Sequence, residues 1–64
     1  MYRYLVEFAG GDANGMRRHY DTKKAAVIAA KAYVRQNRDC PGELYAEIYA
    51  IDNTYKSRLI STVE

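Results

Sequence analysis

Read for alternation of apolar and polar positions, the chain divides into extended runs around one helical stretch. "YRYLVEF" (Tyr2 to Phe8) is rich in aromatic and β-branched residues and predicts a strand. Its period of two puts Tyr2, Tyr4, Val6 and Phe8 on one face and Arg3, Leu5 and Glu7 on the other. "GGDANG" (Gly10 to Gly15) is a turn cluster, because Gly and Asn tolerate positive φ. "MRRHY" (Met16 to Tyr20) is then a candidate for a short returning edge strand, its charges discouraging unwanted pairing. Further on, "ELYAEIYAID" (Glu43 to Asp52) alternates cleanly, with Leu44, Ala46, Ile48 and Ala50 opposed to Tyr45, Glu47, Tyr49 and Ile51. A short polar loop, "NTYK" (Asn53 to Lys56), joins it to "SRLISTV" (Ser57 to Val63), which predicts a hairpin.

Between these runs the period changes. Five alanines lie between Ala25 and Ala32 and favour a helix, predicted over Thr22 to Arg38. Asp21 or Thr22 can cap its start, and "DCPG" (Asp39 to Gly42) stops it. At roughly 100° per residue, Ala26, Ala29, Ala30 and Tyr33 cluster on one side, with Ala25, Val27 and Val34 at its margins. That side should pack on a sheet. The fold class is therefore α+β: an antiparallel sheet of three or four strands with one helix on one face, in the order β-(β)-α-β-β. Residues 1–64 form one domain.

Charge adds a second pattern. The formal net charge is only +2, but the segment Arg17 to Arg38 carries +6 and the remainder −4. Lys24, Lys31, Arg35 and Arg38 fall together on the outer helix face, with Arg17 and Arg18 just before it in sequence. No acid on the helix offers an i,i+4 partner, and Lys23 and Lys24 sit at the positive end of the helix dipole. The ridge reads either as a solvated face or as a surface that meets anions: phosphates of a nucleic acid, or an acidic patch on a protein.

The face of the sheet away from the helix should carry Arg3, Leu5, Glu7, Tyr45, Glu47, Tyr49, Ile51, Arg58 and Ile60. A merely solvated face would be more polar. Leu5, Tyr45, Tyr49 and Ile60 suit docking on a protein or self-association into a homodimer, since aromatic residues and Arg are enriched at interfaces. Base stacking is the lesser alternative, as the chain has no RNP-type aromatic signature.

Chemistry constrains the function class further. A domain of 64 residues has a small core and little room for a buried cleft. One Cys, Cys40, and one His, His19, cannot build a metal site. They make a nucleophile pair only if the fold joins them. "GGDANG" lacks the Lys-Ser/Thr of a phosphate loop. Neither a secretory h-region nor a run of the ~18 apolar residues that span a membrane is present. The expectation is a cytoplasmic, non-enzymatic binding protein that needs no cofactor.

"YRYLVEF", "YDTKKAAVIAAKAYV", "AEIYAID" and "SRLISTVE" together resemble, in organisation, small proteins carried by bacteriophages and mobile elements. Some of these look like inhibitors of host defence nucleases, anti-CRISPR proteins among them. The resemblance implies a binding protein that acts by protein contact. Many anti-CRISPR proteins are acidic mimics of DNA, a pattern from which the basic helix departs. The alternative function is nucleic-acid binding by the basic helix face.

Overall fold

The computed structural model describes residues 3–64. Four strands and one helix follow in the order β1 (Tyr4–Ala9), β2 (Arg17–Tyr20), α1 (Lys23–Gln36), β3 (Tyr45–Ile51) and β4 (Ser57–Val63). The sheet order is β2-β1-β3-β4, antiparallel between every pair of neighbours. Tyr2, assigned by sequence to the first strand, lies outside the described residues. Met16 to Tyr20 does return as an edge strand, beginning at Arg17. Both β2 and β3 run antiparallel to β1, so they share a direction and need a crossover. The helix is that crossover, and it packs over the two central strands.

The core lies between helix and sheet. Val6 and Ile48 are fully buried and oppose each other in the β1–β3 register, as Phe8 opposes Ala46. Ala26, Ala30 and Val34 close the core from the helix. Their small side chains bring the helix axis near the sheet, whose larger residues fill the gap. The buried stripe continues to Asn37, so it runs through Val34, which the helical wheel had placed at a margin. Ala29 is left half-buried.

Two features bind the ends of the elements. Thr22 is the N-cap, its Oγ1 accepting from Ala25 N at 3.1 Å. At the other end the helix stops at Gln36, short of Arg38 and well before Pro41. Asn37 ends it: its Nδ2 donates to Tyr33 O at 2.9 Å while its Oδ1 accepts from Asp12 N at 3.0 Å. The Asn37 backbone N–H donates to the same Tyr33 carbonyl at 3.1 Å, so the side chain doubles that bond while its Oδ1 ties the helix end to the β1–β2 loop. Tyr33 reaches the same loop, donating to the Gly10 carbonyl and accepting from Ala13 N at 3.0 Å. Its ring packs on Phe8 with centroids 4.4 Å apart.

The β3–β4 hairpin is closed by Asp52. Its Oδ1 accepts from Thr54 Oγ1 at 2.7 Å, Thr54 N at 2.9 Å and Lys56 N at 3.0 Å. The Thr54 hydroxyl first, then the backbone N–H groups of Lys56 and Thr54, hold the carboxyl below the usual Asp range. A depressed folded pKa stabilises above the unfolded value of about 3.9 and ceases to as pH falls through the folded value. The stability gap between wild type and Asp52→Ala should therefore be wider at about pH 6 than at about pH 2.5, by urea denaturation at each. A gap equal at both would refute this role.

Among the described residues no helix is long and apolar enough to cross a membrane.

Candidate partner-binding surfaces

The register sorts the uncovered sheet face into rows that cross the strands. One row runs His19–Leu5–Tyr49–Leu59 across β2, β1, β3 and β4. The next runs Arg17–Glu7–Glu47–Thr62. Tyr45 lies opposite Ala9 at the end of the face. Leu5, Tyr45 and Tyr49 are half-buried by their neighbours, and Leu59 is 48% exposed. An apolar and aromatic row thus adjoins a charged one on the side that the helix leaves open.

Ile60 is not part of this face. The β3–β4 register shifts between Ile48 and Tyr49, so Ile48 opposes Ser61 while Tyr49 opposes Leu59. Ile60 is the extra residue of this bulge, and it packs against the core. A bulge breaks the period of two, and every assignment on one side of it changes face. Leu59 accordingly takes the open-face position expected of Ile60. Arg58 opposes Ala50, on the helix side, and not the open face. Leu59 was missed because no Gly or Pro in "SRLISTV" betrays the bulge.

The charged row is electrostatically mixed. Glu7 and Glu47 face each other across the two central strands, an arrangement that costs stability. Arg17 Nε approaches Glu7 Oε2 at 3.7 Å, but Arg17 is largely exposed and Glu7 partly so, and the pair contributes little. Desolvation raises the Tyr49 phenol above its ordinary pKa, and the charges of Glu47 and then Glu7 add to it, with Arg17 opposing. Tyr49 therefore presents a neutral hydroxyl at physiological pH.

The basic residues expected to form one cluster are divided by the fold. Lys24, Lys31 and Arg35 are exposed on the outer helix face and make no ion pair among the described residues. Arg38 falls in the turn beyond Asn37 and is not on the helix. Arg17 and Arg18 are neighbours on a strand, so they point to opposite sides of the sheet. Arg17 opposes Glu7 on the open face; Arg18 opposes the buried Val6, on the helix side. Arg18 stands across a groove from Ala29, Ala32 and Gln36 of the helix.

Cys40 and His19 are separated. Cys40 Sγ lies 3.8 Å from Asn37 Oδ1 at the helix end, whereas His19 opposes Leu5 on the far face of the sheet. Among the described residues no three His, Cys, Asp or Glu side chains converge. The arrangement offers two opposite surfaces: an apolar-aromatic row on the sheet, and a basic helix. Compared with protein-family models, with curated proteins and with solved structures, the chain matches none.

Proposed function

We propose that this chain is a small non-catalytic binding protein that docks a protein partner through the open face of its sheet. The reading is carried by one observation: the row Leu5–Tyr49–Leu59 crosses three strands on a face that no element among the described residues covers. Aromatic residues ringed by polar groups are what interface centres are made of. Glu7, Glu47 and Arg17 supply a charged border that fixes orientation more than affinity. A second copy of the chain is the simplest partner; occlusion of a larger one, such as a host defence nuclease, would make the protein an inhibitor.

A photo-crosslinker in place of Leu59 should yield discrete protein adducts, and one in place of Arg58, on the other side of β4, should not. Tyr49→Asp puts a charge into the centre of the row and should weaken docking by about thirtyfold, an effect of about 2 kcal/mol. The fold should survive, since Tyr49 lies outside the core. Equal adducts from both positions, or adducts indifferent to Tyr49→Asp, would sink the reading. Light scattering separates the cases: a mass that doubles with concentration identifies the partner as a second copy.

A further inference from the structure

On the opposite side of the molecule the basic residues surround an apolar one. Ile28 is 57% exposed on the outer face of α1, where solvent alone gives an isoleucine no favourable place. Lys24 is four residues before it and Lys31 three after it, so both are its surface neighbours, and Arg35 lies on the same stripe. Ala32, also one turn away, leads from Ile28 into the groove between α1 and β2. That groove holds about 260 Å³ and is floored by Phe8, Tyr20, Ala29 and Ala32, with Arg18 and Gln36 among its lining. An apolar track thus runs from Ile28 into the groove with basic side chains on both banks.

We infer that this face docks an acidic, apolar-bearing segment of a partner protein. Charge complementarity selects the sign: Arg18, Lys24, Lys31 and Arg35 have no ion-pair partner among the described residues. The apolar track selects protein over nucleic acid. A phosphate backbone gives Ile28 nothing to bury against, and stacking needs free ring faces. Phe8 is 5% exposed, Tyr20 packs against the core, and Tyr33 packs on Phe8 and is bonded through its hydroxyl to Gly10 and Ala13. Leu, Ile or Phe side chains of a partner would instead fill the groove and cover Ile28, with their neighbouring carboxylates reaching the bases. This inference does not depend on the sheet face, which lies on the other side.

Three fluorescein-labelled probes test it by anisotropy with the full chain: a peptide of about a dozen residues in which Glu alternates with Leu and Phe, a polyglutamate peptide of equal charge, and a single-stranded oligodeoxynucleotide of equal charge. The alternating peptide should bind about tenfold more tightly than either other probe at an ionic strength of about 0.15 M. Ile28→Gln should remove most of that preference, and Arg18→Glu should weaken the peptide about tenfold. Both positions are exposed, and circular dichroism verifies that the variants stay folded. An oligonucleotide that binds as tightly as the peptide, with Ile28→Gln without effect, would overturn the inference in favour of phosphate recognition. Failure of the peptide to bind even at low salt would overturn it in favour of a solvated face.

Discussion

Gly10→Ala should lower the melting temperature by at least about 10 °C, and Gly42→Ala by clearly less. Both glycines have positive φ, +79° and +94°, so both substitutions carry the left-handed penalty of roughly 1–2 kcal/mol. They differ in what a methyl group would meet. At Gly42 no described atom beyond its chain neighbours lies within 4 Å of an added Cβ, whereas at Gly10 the new Cβ would stand 1.9 Å from the Glu43 carbonyl oxygen. That oxygen belongs to backbone and cannot swing aside like a side-chain tip, so β1 and the segment entering β3 must separate. Overpacking of this kind costs a further ~1–3 kcal/mol. The total approaches the whole stability of a domain this size, roughly 3–10 kcal/mol at 0.05–0.15 kcal/mol per residue. Thermal melts of the two variants decide the point, and equal losses would mean that the close approach carries no weight.

Asn37→Ala is the second large loss expected, about 1–3 kcal/mol. Asn37 is 5% exposed and is the buried polar residue among the described residues. Alanine would leave both the Asp12 N–H and one acceptor position at the Tyr33 carbonyl without the amide that now serves them. The Tyr33 carbonyl keeps its bond from the Asn37 backbone N–H, so the group left stranded is the part-buried Asp12 N–H, at a cost of roughly 1–3 kcal/mol. The loss is local first: the Asp12 amide should exchange with solvent far faster than in the wild type, while the β1–β3 amides follow the global stability. A variant that loses less than about 0.5 kcal/mol in urea, or that leaves Asp12 protected, would show that water replaces the amide without cost.

The architecture was legible because period and composition agree in each segment. Val6, Phe8, Ala46 and Ile48 stand on the face their alternation assigned, and Ala26 and Ala30 on the face the helical wheel assigned. What was hidden depends on contacts between distant residues. The helix end follows from Asn37 meeting Asp12, a bond across 25 positions that no local propensity records. The bulge at Ile60 depends on how β4 fits β3 and moved both Ile60 and Arg58 off the expected docking face. The basic cluster looked continuous because Arg17 and Arg18 are adjacent in sequence, yet a strand sends adjacent side chains to opposite sides. Ile28 could have been noticed from the wheel alone, as the apolar position in an otherwise charged stripe.

The strand order also governs how the chain comes together. β1 is central, but its two neighbours differ in distance along the chain: β2 returns after a short loop, and β3 only after the helix. Until β3 arrives, the far edge of "YLVEFA" is open, with unpaired backbone groups, no proline and a single charge. A nascent or partly unfolded molecule that has made only the first hairpin and the helix therefore exposes its most adhesive strand, and the edge it offers is the one that native folding places in the middle of the sheet.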